Sequence, residues 1–338
     1  MKVSKWYNNN DIRLEEMPTP SPGEGEMLVK VISCGICGSD IVEWYRLPRA
    51  PLVQGHEVGV EVVETGAGVT KYKKGDRLFI APKVPCLKCI YCLNGNYPQC
   101  NEIKDRLPGG FAEYILVPKE LVKNGAYLLP ESVSYDQATF IEPLACVVRA
   151  QRLASITEGQ TILVLGSGMS GLLHIKLAKY KKCKVIATDI NQRRLEAAKS
   201  FGAYYTADAA SDILKQLIQV TGRKADAVIV TTSAIPAIKQ AWESVDMGGV
   251  VVLFAVPEPG KDVVVPVNDF WRKEIRILTS YYCGPPDIEE ALRLITNGDI
   301  KVDDLITHRL PLKDTAKGFK MLMVGTESLK VIIKPHEN

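Results

Sequence analysis

Long hydrophobic runs are missing from this 338-residue chain: no stretch of about 18 uninterrupted apolar residues occurs, and the opening segment MKVSKWYNNNDIRLEE lacks the apolar region of a secretory leader. No membrane partner is expected, and the chain reads as cytoplasmic. A charge excess is missing too. Lys and Arg number 42 against 39 Asp and Glu, a formal net charge of +3, so nothing implies a nucleic-acid or other polyanion partner. The lysine clusters KYKKGD (71–76) and KYKKCK (179–184) are short, adjoin strand or turn signals and read as solvated faces. Internal repeats and low-complexity linkers are absent. Histidine is scarce, with four residues, and the nine cysteines are odd in number for a disulfide framework.

The length exceeds what one hydrophobic core fills, so two domains are expected. Between residue 26 and about 145, short apolar runs (MLVKVIS, VGVEVVETG, RLFIAP, AEYILVP) alternate with turns such as KKGD and LPGG, which is β texture. From about 155 the runs TILVL, KVIAT, ADAVIV and GVVVLFA are separated by stretches of helical period, MSGLLHIKLAKYKK and NQRRLEAAKSFG. Strand–helix alternation of this kind predicts an α/β, doubly wound parallel sheet. PDIEEALRLITNGD reads as a helix entered after Pro286, and ITHRLPL and SLKVIIK return to β texture. The expected organisation is a mainly β domain over 1–145 and 285–338, interrupted by an α/β domain over 146–284.

TILVLGSGMSGLLHIK places Gly166, Gly168 and Gly171 in the pattern G-x-G-x-x-G, after a strand and before a helix. Gly166 suits a tight turn, Gly168 a close approach of backbone to pyrophosphate, and Gly171 close helix–strand packing, with Met169 and Ser170 opening the helix toward the phosphates. Asp189 ends the next strand about twenty residues on, where a carboxylate accepts hydrogen bonds from ribose hydroxyls and repels a 2′-phosphate. NAD is therefore favoured over NADP, with Arg193 and Arg194 close behind softening the choice and Arg194 a candidate neighbour of the adenine.

PCLKCIYCLNGNYPQC gathers Cys86, Cys89, Cys92 and Cys100 in C-x2-C-x2-C-x7-C spacing. In a reducing compartment this reads as thiolate ligation of zinc, with an iron–sulfur cluster as the alternative. Three further polar signals, CGICGSD (34–40), QGHEVG (54–59) and FIEPLA (140–145), offer Cys37, His56, Glu57 and Glu142 as ligands of a second, catalytic zinc with one open position. Taken singly each has a plain alternative: a Cys34–Cys37 redox pair, a core histidine, a surface carboxylate.

The order GICGSD, GHE, the four-cysteine lobe, GGFAEYILVP, GSGMSG and Asp189 resembles the zinc-dependent medium-chain dehydrogenases over essentially the whole chain. Within them the sorbitol and other polyol dehydrogenases are most similar, because GHE and EPLA replace the pattern in which a later cysteine is the third ligand. The resemblance implies a Rossmann cofactor domain, a GroES-like catalytic domain split around it, and two zinc ions per chain, one catalytic and one structural. It also implies NAD and a homo-oligomer, dimer or tetramer. In it Cys37 and His56 hold the catalytic zinc, Glu57 or Glu142 completes the set, Ser39 meets the substrate oxygen and Asp40 orients His56. The activity implied is oxidation of a secondary hydroxyl of a polyol, sugar or cyclitol to a ketone. A threonine-type dehydrogenase is the enzymatic alternative, and a zinc-ribbon nucleic-acid binder the alternative outside enzymes.

Three departures stand out. Val42 occupies the position of a histidine that many relatives use to end a proton relay, leaving water, cofactor hydroxyls or Glu43. Tyr281 replaces an arginine that binds a polyol hydroxyl in sorbitol dehydrogenases, and Leu87 stands where a glycine often follows the first lobe cysteine. Trp44, Tyr45, Arg46 and Arg106 are candidates for the substrate mouth, and Cys146, Cys183 and Cys283 read as buried small hydrophobes. His174, His308 and His336 carry no expected catalytic role. GVVVLFAVPEPG and EIRILTSYY are expected as apolar edge strands suited to pairing between subunits.

Overall fold

A computed structural model describes residues 1–325 and 327–337. The chain divides into one compact unit formed by Met1–Ala145 with Cys283–Asn338, and another formed by Cys146–Tyr282.

The first unit is built on a seven-stranded sheet whose central strand, Met27–Gly35, is buried along most of its length. It pairs antiparallel with Glu57–Thr65, Tyr114–Val117 and Lys330–Lys334. The last pairing sets Ile332 opposite Gly35 and Ile333 opposite Cys34, so the end of the chain closes the sheet begun near its start. That ladder makes the β-rich unit discontinuous in sequence. A smaller sheet joins Asp11–Glu16, Lys2–Asn8 and Leu52–Val53 over the buried Trp6, whose indole Nε1 donates to Asn9 Oδ1 at 3.1 Å.

In the second unit six parallel strands lie in the order Tyr205–Asp208, Lys184–Asp189, Thr161–Leu165, Ala225–Val230, Val245–Leu253, Arg276–Thr279. Counted along the chain this is 3-2-1-4-5-6, the doubly wound order with its switch point beside Thr161–Leu165. Every residue of that central strand is buried, as a parallel strand covered on both faces requires. Of the two segments expected as edges, Val245–Leu253 is interior and paired on both sides, and only Arg276–Thr279 is an edge. No helix among the described residues is long and apolar enough to cross a membrane.

His174, on the helix Met169–Tyr180, is fully buried edge-on to Phe254, with ring centroids 4.7 Å apart. Gln151 Nε2 lies 3.4 Å from His174 Nδ1 and donates to His174 O at 2.9 Å. Burial first, and the Lys181 charge second, push this imidazole down to about 3. A folded pKa below the unfolded one means that the unfolded chain takes up the proton. The stabilisation is therefore complete above the ordinary value of 6.5 and is lost as pH falls from there toward about 3. His174→Leu should flatten the acid side of the stability profile. Unfolding free energies from urea titrations between pH 7 and pH 5 should fall in the wild type by up to about 1.4 kcal/mol per pH unit more than in the variant. Equal slopes would show that the ring binds its proton equally well in the folded and unfolded chains.

Candidate metal centres and nucleotide cradle

The four lobe cysteines converge because a single helical turn, Ile90–Leu93, carries Cys92 and has Cys89 as its N-cap, while the turn Tyr97–Gln99 delivers Cys100. Their ligand atoms all lie within 4.8 Å of one another, with Sγ–Sγ separations of 3.9 Å for Cys86–Cys92, 3.6 Å for Cys89–Cys92 and 3.9 Å for Cys89–Cys100. A tetrahedron of thiolates about 2.3 Å from one zinc has edges of about 3.8 Å, so the lobe fits that ion as it stands. It is too tight to enclose several irons. Backbone amides support the sulfurs: Cys86 N donates to Cys100 Sγ at 3.2 Å and Cys89 N to Cys86 Sγ at 3.3 Å. Hydrogen bonding from the Cys92 backbone pulls the Cys89 thiol down to about 6, while burial pushes Cys92 up to about 12. Leu87 has φ 61, which explains why glycine suits that position: a side chain in left-handed backbone costs about 1–2 kcal/mol.

The second centre begins as a capping box. Cys37 is the N-cap of the turn Gly38–Ile41: its thiol accepts from Ser39 N at 3.4 Å, and Asp40 Oδ2 accepts in return from Cys37 N at 3.0 Å. The Gly35–Glu57 register pair of the main sheet sets the GHE segment alongside. As a result Cys37, His56 and Glu57 present ligand atoms within 4.8 Å of one another. His56 Nδ1 lies 3.3 Å from the fully buried Asp40 Oδ1, which fixes the ring and turns Nε2 away as the available ligand atom. Burial raises the Asp40 carboxyl, but His56, Arg46 and the Cys37 amide together hold it below its usual value. Cys34 is a buried thiol pushed well up by desolvation, a poor redox partner for Cys37.

Glu57 is engaged elsewhere as well. Its Oε2 accepts from Lys330 Nζ in a pair whose side chains are both 1 % exposed, and the ammonium also lies 5.3 Å from the Phe140 ring centroid. Any side chain at Gly35 would overlap both Glu57 Oε2 and Lys330 Cε, so glycine there makes room for the pair. Glu142, buried on the helix Ile141–Leu153, does not join the Cys37 group; its carboxylate lies within 4.8 Å of the buried Cys283 Sγ. Sequence reading missed Lys330, although a lysine opening the apolar run KVII is the kind of residue that is buried only when paired.

Arg46, a candidate for the substrate mouth, is held in place: Nε donates to Ser39 O at 3.0 Å, and Nη2 donates to Ser39 Oγ and to Asp40 Oδ1, each at 2.9 Å. Trp44 is 43 % exposed with its ring edge-on to Tyr45, and Arg106 is exposed on the two-residue strand Asp105–Arg106. Glu43 Oε1 accepts from Asn9 N at 2.8 Å. Cys283 is buried as expected, whereas Cys146 and Cys183 are only partly so, the latter donating to Thr157 O at 3.2 Å.

In the second unit Gly166 takes φ +96, and a side chain on Gly171 would overlap the Gly166 carbonyl oxygen. A side chain on Gly168 would meet only Arg194 Nη1 at 3.9 Å, leaving open space in front of the helix Met169–Tyr180. Gly168 caps that helix without a side-chain bond, so its first amides, with Met169 and Ser170, are left for an anion. Asp189 ends its strand with Oδ2 accepting from Ser167 N at 2.7 Å and Oδ1 from Asn191 N at 2.9 Å. Arg194 Nη1 lies 3.8 Å from Asp189 Oδ2.

Residues 23–126 match the family model of the alcohol dehydrogenase GroES-like domain, and 171–297 that of the zinc-binding dehydrogenases. A sorbitol dehydrogenase of Halalkalibacterium halodurans is 33 % identical over 346 residues, with 98 % of each chain covered. The chain belongs to the zinc-binding alcohol and polyol dehydrogenases. A Bacillus subtilis (R,R)-butanediol dehydrogenase is 30 % identical, covering 99 % of this chain and all of that one. A zinc-binding dehydrogenase from Sinorhizobium meliloti, solved with NADP bound, superposes with a TM-score of 0.89 at 29 % identity over 99 % of both chains. As a member of this family the protein is a zinc-containing, NAD(P)-dependent oxidoreductase acting on CH–OH donors, and its thiolate and imidazole donor sets fit that metal.

Two measurements separate the centres. Cys92→Ser should release about one zinc per chain and lower the melting temperature while folded molecules keep much of their turnover, and Cys37→Ser should abolish turnover with little change in melting. A Cys92→Ser protein that melts like wild type yet is inactive would reverse the assignment. For the buried pair, Lys330→Met should cost about 3–5 kcal/mol in denaturant unfolding because it strands the Glu57 charge. Adding Glu57→Gln should recover most of that loss, and a double variant as unstable as the single one would contradict an ion pair.

Proposed function

We propose that this dehydrogenase oxidises a secondary hydroxyl of a polyol, sugar or cyclitol with NAD. The observation that carries the reading is the grouping of Cys37, His56 and Glu57 ligand atoms within 4.8 Å, with Ser39 Oγ 3.4 Å from Cys37 Sγ. Cys37 and His56 would hold the catalytic zinc and Glu57 would complete the protein ligands, while the lobe cysteines would hold a structural ion. Zinc supplies Lewis acidity at the substrate hydroxyl, and the nicotinamide supplies the hydride acceptor. Asp40 keeps the His56 ring in one orientation, and Ser39 takes the proton of the substrate hydroxyl and passes its own outward. Gly168, Met169 and Ser170 receive the pyrophosphate, while Asp189 accepts from the adenine ribose.

Both curated relatives named above are polyol or diol dehydrogenases, which supports hydroxyl-rich substrates over simple alcohols. Tyr281, in place of the arginine of sorbitol dehydrogenases, argues for a polyol other than sorbitol. A hydroxy amino acid would need a cation for its carboxylate, and Arg46 is committed to Ser39 and Asp40. The enzyme works in the cytoplasm as a homo-oligomer. Supporting that assembly, the edge strand Arg276–Thr279 adjoins an open groove of about 600 Å³ lined by Val267, Phe270, Trp271 and Ile277, with Trp271 75 % exposed.

Reduced-cofactor absorbance over a panel of vicinal diols, polyols and primary alcohols tests the reading. Polyols should exceed ethanol in kcat/KM, NAD should exceed NADP, and Asp189→Gly should lower the NAD preference by about 10-fold or more. Ethanol faster than every polyol would refute the substrate class, and a wild-type preference for NADP would refute the role of Asp189.

A further inference from the structure

The hydroxyl of Ser39 has one hydrogen and two lone pairs, and their allotment decides which way a proton can cross it. Arg46 Nη2 lies 2.9 Å from Ser39 Oγ and, having only hydrogens to offer, fills one lone pair. The guanidinium is anchored twice more, on Ser39 O at 3.0 Å and on Asp40 Oδ1 at 2.9 Å, and its side chain is only 12 % exposed. The Tyr45 ring, 5.1 Å from the guanidinium carbon, backs it. The single helical turn Glu43–Arg46 delivers this group, and three anchors leave it little freedom. The hydrogen of Ser39 points at Cys37 Sγ, 3.4 Å away, a weak acceptor that gives it up readily.

We propose that Arg46 is the positioning residue of the proton relay: by filling one acceptor site of Ser39 it leaves that oxygen a single inlet and a single outlet. The proposal rests on the reading of Ser39 given above. The inlet accepts the substrate hydroxyl proton as the substrate O–H bond breaks and a new O–H bond forms on Ser39. The original Ser39 hydrogen, released from its weak bond to Cys37 Sγ, leaves by the outlet to a water or cofactor hydroxyl, while the carbinol C–H bond delivers a hydride, with both electrons, to NAD. Arg46 keeps its charge and its hydrogens throughout. Val42 can neither accept nor donate a proton at the position where many relatives carry a histidine, so in this chain the direction of transfer is set at Ser39 itself.

The test is a double-variant cycle with the intact zinc-loaded enzyme and its best alcohol from the panel. Arg46→Ala should lower kcat about 10- to 100-fold with KM changing less than about 3-fold, and raise the solvent deuterium isotope effect on kcat. Zinc content by elemental analysis should stay at the wild-type value. Added ethylguanidine should restore part of the turnover, and Arg46→Lys, with a point donor instead of a fork, should restore less than half. In a Ser39→Ala background Arg46→Ala should cost almost nothing further, since the group it positions is gone. Equal losses in both backgrounds, loss of zinc, or a change confined to KM would overturn the proposal. A wild-type protein with no turnover on any alcohol would overturn the reading of the site itself, a different result from an active wild type with additive losses.

Discussion

A carboxylate with no solvent exposure, Asp40, is the constraint around which the first unit's centre is arranged. A buried charge persists only if its oxygens are fully engaged, and here they are: by the Cys37 amide, by His56 and by Arg46. Each of those partners is also a functional group or holds one. The cost of burying one aspartate is thus offset by the same contacts that orient an imidazole, fix a thiol at a helix cap and immobilise a serine hydroxyl. Such a network is cooperative, each contact polarising and strengthening the others in a low-dielectric interior.

Two thiol-bearing centres in one unit use the same atoms for opposite ends. In the lobe, four sulfurs at tetrahedral spacing leave a bound ion no open position, and the surrounding segment has little apolar packing of its own: Ile90 and Leu93 are 64 % and 71 % exposed. Ion binding there acts as local folding energy. At Cys37 the neighbours are carboxylates, an imidazole and a hydroxyl, and Glu57 divides its charge between the cluster and Lys330.

The nucleotide cradle depends on backbone more than on side chains. Its anion site is a helix start without a side-chain cap, its turn needs the positive φ of Gly166, and its acid is preset by two backbone amides before any ribose arrives. A site preset in this way on a rigid strand–helix junction needs little reorganisation to take the nucleotide proposed for it.

Local signals made much of this legible in the amino-acid sequence. The glycines and Asp189 lie within one strand–turn–helix–strand unit, the lobe cysteines within fifteen residues, and GICGSD contains its own capping box, so short-range spacing reports their geometry. The strands Lys2–Asn8 and Asp11–Glu16 escaped notice because polar residues interrupt their apolar positions, and Tyr205–Asp208 because four residues carry too little periodicity. Long-range partners were beyond reach. The Glu57–Lys330 pair spans 273 positions and exists because the strand Lys330–Lys334 closes onto Met27–Gly35. Arg46, read from sequence as a candidate for the substrate mouth, is held by Ser39 and Asp40, because only the folded chain shows a buried Asp40 whose carboxylate both His56 and Arg46 satisfy. The sequence by itself determined which residues could bind metal, phosphate and ribose; tertiary structure alone decided how their remaining valences are shared, because hydrogen-bond satisfaction in an interior depends on neighbours that are remote along the chain.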